Sequence, residues 1–229
     1  MPKTHARKKT GPRPARRKAR AGPADRLRKG WDATLRRLAS AEQDLEKQVR
    51  ALLKRKGIGV KDASRTPSVT RTVDEGDEVV LGSLRARCIH NPGHTLGAVT
   101  FVVNGCAFTG DTLFGGGCGR VFEGDAAMMH ASLMRLAALP PETRVYFGHE
   151  YTASNLRFAA HAEPDNQAVR KKQERVAAIR ANAAADWHDA TPAEMTIPST
   201  IGEERATNPF MRSVDAAELG RRRAVKDRF

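Results

Sequence analysis

The sequence predicts an α+β protein in which a β-rich central part lies between helical segments. Apolar and polar residues alternate over much of residues 79–109, which is typical of strands. The apolar spacing becomes helical over residues 126–138 and again beyond residue 152. The first 56 residues have a strongly basic composition unlike the rest of the chain. The chain therefore divides into a basic N-terminal part, a central sheet and a helical C-terminal part.

The positive charge is confined to the first quarter of the chain. Of a formal net charge of +14 over 229 residues, residues 1–56 contribute all, with 19 Lys and Arg against 5 Asp and Glu. The remainder is neutral, which indicates a basic arm joined to a conventional domain. The arm is a candidate for binding nucleic acid or another polyanion by counterion release. A solvated tail without a partner is an equal alternative.

Three segments make up this N-terminal part. Residues 1–24 are poor in large apolar side chains and rich in Pro and Gly, which predicts a disordered basic tail. Residues 25–59 are predicted to form a basic amphipathic helix ended by glycines, and residues 60–72 a linker. The helix stripe follows alternating steps of four and three residues: Trp31, Leu35, Leu38, Glu42, Leu45, Val49 and Leu52. It is expected to pack on its own domain or on a second copy of the chain.

The central domain is expected over residues 73–151. Residues 79–81, 84–89 and 144–147 read as strands, and residues 99–103 and 106–109 as a hairpin. Asn104-Gly105 between the hairpin strands is suited to a type I′ turn. Residues 126–138 should form a helix capped by Asp125, and residues 152–229 a helical domain that includes helices 153–161 and 164–185.

Cysteine content and hydropathy indicate a cytoplasmic protein with reduced thiols. The three cysteines, Cys88, Cys106 and Cys118, are too few for a disulfide framework. No apolar run is long enough for a membrane span, and the basic N-terminus has no apolar core of a secretory signal.

Three potential metal ligands stand where strand-like runs change into Gly-rich turns. They are His94, Asp111 and His149. Neutral imidazole and ionised carboxylate at the ends of neighbouring strands suit Zn²⁺ or Fe, and a carboxylate can bridge two ions. Each residue alone has a structural alternative, since Asp111 can be an ordinary turn residue, and their combination is what indicates a metal site.

Five motifs resemble those of glyoxalase II, the hydroxyacylglutathione hydrolase of the metallo-β-lactamase superfamily. They span about residues 68–214 in family order: Asn91-Pro92-Gly93-His94-Thr95-Leu96-Gly97, residues 108–114, Gly117-Cys118-Gly119-Arg120, residues 148–152 with Asn155-Leu156, and Asn208-Pro209-Phe210-Met211-Arg212. The resemblance implies the C-terminal half of an αββα sandwich followed by a helical domain over the active site.

The resemblance also implies the chemistry and its residues. Two metal ions, zinc or iron, activate water for attack on the thioester of S-D-lactoylglutathione. Carried over to this chain, His94 ligates one ion, His149 the other, and Asp111 bridges them. Glutathione contacts fall on Arg120, Tyr151 and Arg212 and on Phe122, which stands where the family often has Tyr.

One departure lowers the expected activity. The family's Thr-His-x-His-x-Asp-His motif, which supplies four further ligands, has no counterpart among the seven histidines of this chain. Each ion then keeps two protein ligands, whereas catalytic zinc normally has three. His90 or Cys118 are alternative ligands without support from the resemblance. We therefore expect weak metal binding, impaired thioester hydrolysis, and a sheet edge open to self-association. The alternative is a non-catalytic fusion whose basic arm binds a polyanion.

Overall fold

A computed structural model describes residues 58–59, 71–181 and 196–229, and the elements below belong to these residues. The strands are β1 (Ile58–Gly59), β2 (Arg71–Thr72), β3 (Glu78–Leu81), β4 (Leu84–His90), β5 (Val99–Val103), β6 (Cys106–Gly110), β7 (Leu113–Phe114), β8 (Gly117–Cys118), β9 (Arg144–Phe147) and β10 (Ser199–Thr200). The helices are α1 (Ala126–Ala137), α2 (Thr152–Ala162), α3 (Gln167–Ala181), α4 (Ile201–Thr207) and α5 (Ala216–Lys226). This composition confirms the α+β prediction.

The predicted tail 1–24, most of the predicted helix 25–59, most of the predicted linker 60–72 and the end of the predicted helix 164–185 lie outside the described residues. Next to these undescribed segments, the structure contains a feature that was not predicted: β1 and β2 form a parallel pair. Ile58–Gly59 is a strand within the segment that the sequence predicts as a helix, and Arg71–Thr72 is a strand within the predicted linker.

A six-stranded sheet with the order β10-β9-β6-β5-β4-β3 forms the centre of the molecule. β6 and β9 are parallel, and the other neighbours are antiparallel. The predicted hairpin is confirmed, with Asn104 and Gly105 at φ values of 48° and 71° between β5 and β6. These positive values are the conformation that Asn and Gly adopt at the lowest cost.

Both faces of this sheet carry buried side chains, although β3 and the start of β4 leave Glu78, Val80, Arg85 and Arg87 exposed. One face carries Ala86, Cys88, Phe101, Val103 and Phe108. The other face packs against α1 and the C-terminal helices, through buried side chains that include Val145, Phe147, Met129, Leu133, Phe158, Phe210 and Leu219. α1 begins where predicted, since the Asp125 carboxylate accepts a hydrogen bond from Met128 N at 2.7 Å. Because β6 is buried along four of its five residues, the strand that precedes Asp111 is held rigidly.

The short β7–β8 hairpin connects the sheet to the helical domain through buried polar groups. The Glu204 carboxylate accepts from Gly116 N at 2.7 Å and from Lys172 Nζ at 2.5 Å. Asn208 Nδ2 donates to Gly117 O at 2.9 Å, and Asn155 Nδ2 donates to Gly115 O at 3.1 Å. Buried backbone groups of this hairpin are thus satisfied by side chains of α2 and α4 and by Asn208, which directly follows α4. Within the described ranges, no helix is both long and apolar enough to cross a membrane.

Candidate metal centre and substrate cavity

Sheet topology brings His94, Asp111 and His149 to one edge. β4 and β6 are both antiparallel to β5, so they run in the same direction, and β9 is parallel to β6. The carboxyl ends of these three strands therefore meet at the same edge of the sheet. Asp111 directly follows β6, and the two histidines follow β4 and β9 within a few residues.

In this His–Asp–His cluster, a single carboxylate oxygen faces both imidazoles. Asp111 Oδ2 lies 3.5 Å from His94 Nε2 and 3.4 Å from His149 Nε2. The carboxylate is partly exposed, with 30% of its side-chain surface accessible, whereas the His94 side chain is 19% accessible. The cluster is therefore set into the surface yet open to a ligand.

The hydrogen bond of the other His94 nitrogen defines its tautomer. His94 Nδ1 lies 2.8 Å from the Arg120 carbonyl oxygen. A carbonyl only accepts, so Nδ1 carries the hydrogen, and in the neutral ring Nε2 presents its lone pair to Asp111. Two acceptors facing each other repel unless a proton or a cation lies between them. A metal-ligating histidine commonly makes this type of bond with its second nitrogen.

Each nitrogen–oxygen separation in the cluster matches the distance between two ligand atoms bound to the same metal ion. Two ligand atoms of a tetrahedral zinc ion, each at about 2.1 Å, are about 3.4 Å apart, which matches both nitrogen–oxygen separations. Within residues 71–181 and 196–229, however, no three His, Cys, Asp or Glu side chains are grouped so as to hold one ion. Each of the two His–Asp pairs therefore has the spacing of two ligands of one ion.

Glycines of the motifs allow the chain to pass close to the cluster. A Cβ added to Gly148 would lie 2.3 Å from Asp111 Oδ1. A Cβ added to Gly119 would lie 2.1 Å from the Asp111 carbonyl oxygen and 2.9 Å from His94 Nδ1. Since Cβ atoms do not approach other atoms this closely, only glycine fits at these two positions without displacing a candidate ligand.

The loop that carries His94 is fixed by the segment that follows Arg120. Phe122 N and Glu123 N donate to the His94 carbonyl oxygen at 3.2 and 3.3 Å. The Glu123 carboxylate accepts from Leu96 N at 2.9 Å. These bonds orient the imidazole before any ligand arrives, which is what a binding site on a loop requires.

A cavity of about 630 Å³ opens over the cluster and has a cationic side. Basic side chains of α2, α5 and the loop after β8 line it: Arg120, Arg157, Arg223 and Lys226. Arg223 is buried and donates to the Cys118 carbonyl oxygen at 3.0 Å. Burial, followed by the charges of Arg223 and Arg157, lowers the pKa of Lys226 to about 8. Clustered, partly desolvated cations of this kind attract an anionic ligand.

The structure brings together six of the seven residues predicted for the site. The cluster, Arg120, Phe122 and Tyr151 all line the cavity. Arg212 does not line it, because its guanidinium pairs with Glu163 at 2.9 Å at a different surface. Sequence reasoning missed Arg157, Arg223 and Lys226; the basic sequence of the last helix was the available signal, but it does not show which side chains face the cavity.

Neither alternative ligand forms a three-residue ligand group with the cluster among the described residues. His90 Nε2 is engaged at 2.8 Å with the Leu96 carbonyl oxygen. Cys118 lines the cavity wall but is buried, and this burial raises the pKa of its thiol to about 11. In the metal-free protein this thiol is therefore neutral at physiological pH, and a bound cation would have to displace its proton.

Comparisons with known proteins identify relatives of this chain. The model of the metallo-beta-lactamase superfamily matches residues 14–149, and the model of the hydroxyacylglutathione hydrolase C-terminus matches residues 150–228. The hydroxyacylglutathione hydrolase of Chelativorans sp. (strain BNC1) is 42% identical over 194 residues, which are 82% of this chain and 72% of that protein. That of Acidiphilium cryptum (strain JF-5) is 44% identical over 169 residues, which are 73% of this chain and 65% of that protein.

Among solved structures, ETHE1 from Myxococcus xanthus is similar with a TM-score of 0.51 and 25% identity, over 76% of this chain and 60% of that one. The fold and the superfamily match over residues 14–149, more than half of the chain, define a protein of the metallo-β-lactamase class. Within that superfamily, the chain belongs to the hydroxyacylglutathione hydrolase, or glyoxalase II, family, which confirms the resemblance. The chain spans 72% and 65% of the two curated relatives. The superfamily match begins at residue 14, well before the motifs that start near residue 68.

Proposed function

We propose that this chain is a metal-dependent hydrolase of glutathione thioesters that converts S-D-lactoylglutathione to D-lactate and glutathione with low efficiency. The observation that supports it most is the Asp111 oxygen between two imidazole nitrogens, at a cavity lined by four basic side chains. Glutathione is anionic, so this cavity complements it in charge. Membership of the glyoxalase II family supports the same substrate class.

The residues of the site have distinct roles in this proposal. His94, Asp111 and His149 would hold zinc or iron, which when bound supplies a Lewis acid for the thioester carbonyl and lowers the pKa of water. The Arg120 carbonyl keeps the Nε2 of His94 free by accepting from Nδ1. Tyr151 stacks on the His149 ring at a centroid distance of 5.3 Å and restricts its rotation.

Cationic side chains would bind and orient the glutathione part of the substrate. Arg223 has little freedom, because it bonds to Cys118 O and pairs with Asp227 at 2.9 Å. Lys226 Nζ donates to Ser154 O at 3.3 Å and lies 5.3 Å from the centroid of the Phe158 ring. An orienting group that is already fixed loses little entropy when the substrate binds, and this favours a productive position of the thioester.

Low efficiency follows from the ligand count. Each ion would have two protein ligands among the described residues, and the chain contains no His-x-His pair to add more. Loss of one electrostatic stabiliser typically lowers the rate by ~10²–10³. We therefore expect turnover at least about 100-fold below the typical value of ~10 s⁻¹.

Hydrolysis and metal content test this proposal together. The purified chain is assayed with S-D-lactoylglutathione after addition of zinc or iron(II), and bound metal is measured by elemental analysis. We expect slow, metal-dependent release of glutathione that His149→Ala abolishes. His130→Gln serves as the matched control, because His130 lies on α1 and bonds to the Ser213 carbonyl oxygen outside the cavity. Turnover near 10 s⁻¹ would contradict the ligand argument, whereas absence of both turnover and substrate binding would contradict the function.

A second candidate function is binding of nucleic acid or another polyanion by the basic arm, with the hydrolase-like domain as a non-catalytic part. The confinement of the whole net charge of +14 to residues 1–56 favours it. Such binding would depend steeply on salt concentration, because each neutralised phosphate releases counterions. Salt-dependent binding that is lost when residues 1–56 are deleted would support this function, and binding unchanged by the deletion would exclude it.

A further inference from the structure

The candidate ligand His94 lies in the loop of residues 91–98, which connects β4 to β5. A backbone hydrogen bond from Asn91 N to the Ala98 carbonyl oxygen closes the base of this loop at 2.8 Å. A loop that is held at its base alone keeps conformational freedom at its far end. Hydrogen bonds to the turn at residues 94–96 therefore decide how firmly the His94 imidazole is held.

Side chains of two different segments hold the backbone of Leu96 in this turn. His90 Nε2 lies 2.8 Å from the Leu96 carbonyl oxygen. The Glu123 carboxylate accepts a hydrogen bond from Leu96 N at 2.9 Å. Because a carbonyl only accepts, His90 carries its hydrogen on Nε2 and donates it to Leu96. The last residue of β4 thus ties the far end of the loop to the central sheet.

The backbone of His90 is itself fixed by an ion pair. The Glu75 carboxylate accepts from His90 N at 2.7 Å, and Arg135 Nη1 donates to the His90 carbonyl oxygen at 2.9 Å. Arg135, which lies on α1, also pairs with Glu75 at 3.0 Å. Both backbone groups of His90 are therefore bonded, and its imidazole extends from a fixed position.

We propose that His90 is a positioning residue for the candidate metal centre. Its Nε2–H group holds the turn at residues 94–96, and this keeps His94 Nδ1 at the Arg120 carbonyl oxygen and His94 Nε2 facing Asp111. The inference rests on the proposed function for the presence of a metal ion at the cluster. It gives His90 a role as a hydrogen-bond donor and not as a metal ligand.

The size of the effect follows from the bonds that remain when the imidazole is removed. Loss of a group that orients a metal ligand typically lowers metal affinity about 10–100-fold. Glu123 still holds Leu96 N in a His90 variant, so we expect the lower end of this range, about tenfold, for His90→Ala. The bonds of Glu75 and Arg135 are to the backbone of His90 and remain in every side-chain variant.

Zinc affinity of the full chain, measured by competition with a chromophoric chelator at pH 8, gives the first test. We expect about a tenfold loss in His90→Ala. In His90→Gln the loss should stay within about twofold, because the Gln amide can still donate to the Leu96 carbonyl oxygen but is a poor ligand for zinc. His130→Ala is the matched control, since His130 Nε2 lies 3.1 Å from the Ser213 carbonyl oxygen outside the cavity. It removes the same type of bond and should leave zinc affinity unchanged.

The tautomers of the two imidazoles give a second test that needs no metal. Long-range ¹H–¹⁵N NMR spectra of the chelator-treated chain show which ring nitrogen carries the hydrogen. In the unmodified chain we expect Nε2–H for His90 and Nδ1–H for His94, from the carbonyl oxygen that each ring faces. His94 should become a mixture of both tautomers in His90→Ala but not in His90→Gln or His130→Ala.

Two results would overturn the inference, and a third concerns the proposed function alone. If His90→Gln lost as much zinc affinity as His90→Ala, the imidazole itself would be required and His90 would be a ligand. If zinc affinity and the His94 tautomer were both unchanged in His90→Ala, the hydrogen bond to Leu96 would not position His94. If the unmodified chain bound no zinc, the proposed function would be wrong, and the tautomer of His94 in His90→Ala would still decide the role of His90.

Discussion

Replacement of Asp111 by Asn should change metal affinity and metal-free stability in opposite directions. In the metal-free protein, Asp111 Oδ2 faces the lone pair of His94 Nε2 at 3.5 Å, because His94 Nδ1 already donates to Arg120 O. An Asn side chain can turn an N–H donor towards that nitrogen. The substitution thus replaces a repulsive contact with a hydrogen bond while preserving the shape of the side chain.

The magnitude follows from one gained hydrogen bond at a partly exposed position. A neutral hydrogen bond contributes about 0.5–1.5 kcal/mol, and the accessibility of the site places the gain near the lower end. For a chain of this size, about 1 kcal/mol corresponds to an increase in Tm of about 2–4 °C. Zinc affinity should fall by at least about 100-fold, since the single oxygen that both imidazoles face would no longer carry charge.

The assay compares Asp111→Asn with the unmodified chain at pH 8, where histidine is normally neutral. Thermal unfolding is followed by circular dichroism after chelator treatment, and zinc affinity is measured by competition with a chromophoric chelator. Asp125→Asn is a matched control, because Asp125 caps α1 away from the cluster. A metal-free variant destabilised by more than about 1 kcal/mol, or zinc affinity within threefold of the original, would refute the proposed geometry.

Three further predictions concern other parts of the chain. Lys172→Met should destabilise the fold by about 3–5 kcal/mol in urea unfolding, because it leaves the Glu204 carboxylate, which is 0% exposed, without its cation. Lys171→Met, at an exposed neighbouring position, should have little effect on the free energy of unfolding. A loss below about 1 kcal/mol for Lys172→Met would contradict the role of this buried ion pair. Burial alone would raise the pKa of Glu163, but hydrogen bonds from Asn166, Arg212 and Arg222 and the Arg212 charge outweigh it, and the pKa lies below 4.5. The ionised form of Glu163 is therefore stabilised in the folded state, so this carboxylate should contribute stability that is present above about pH 4.5 and is lost as the pH falls through the lower pKa of the folded state. The Tm difference between the unmodified chain and Glu163→Gln should therefore vanish in acid. A Tm difference that stays constant with pH would show that ionisation of Glu163 is not involved. Deleting residues 1–56, which hold the whole net charge of +14, should abolish salt-dependent retention on heparin, whereas unchanged retention would exclude the basic arm as the binding element.

Much of the sheet could be predicted because its signals are local. The turn at Asn104-Gly105 needs only two adjacent residues with positive φ, and Asp125 caps α1 through a bond three residues away. The β7–β8 hairpin was not predicted, because its two-residue strands are too short for periodicity to appear. Its Gly116 and Gly117 backbone groups are held by Glu204 and Asn208, about 90 residues later.

The candidate site likewise combines residues that the sequence predicts with residues that only the fold reveals. His94, Asp111 and His149 stand at the ends of strand-like runs, which is visible in the sequence, and their convergence requires only that the three strands run in one direction. Arg212 matched a family motif, yet in the fold its guanidinium reaches Glu163 instead of the cavity. Arg223 and Lys226 matched no motif that we used and still line the cavity.

The sequence by itself determined the class of fold, the family and the donor atoms of the candidate metal centre, because strand patterns, turn residues and motif order are properties of neighbouring positions. It also showed that this chain contains no His-x-His pair, which follows directly from the positions of its seven histidines. Only the tertiary structure decided that one oxygen of Asp111 serves both imidazoles, and which basic and aromatic side chains surround it. The physical reason is that the direction of a side chain depends on packing between segments far apart in the chain, and such packing leaves no local pattern in the sequence.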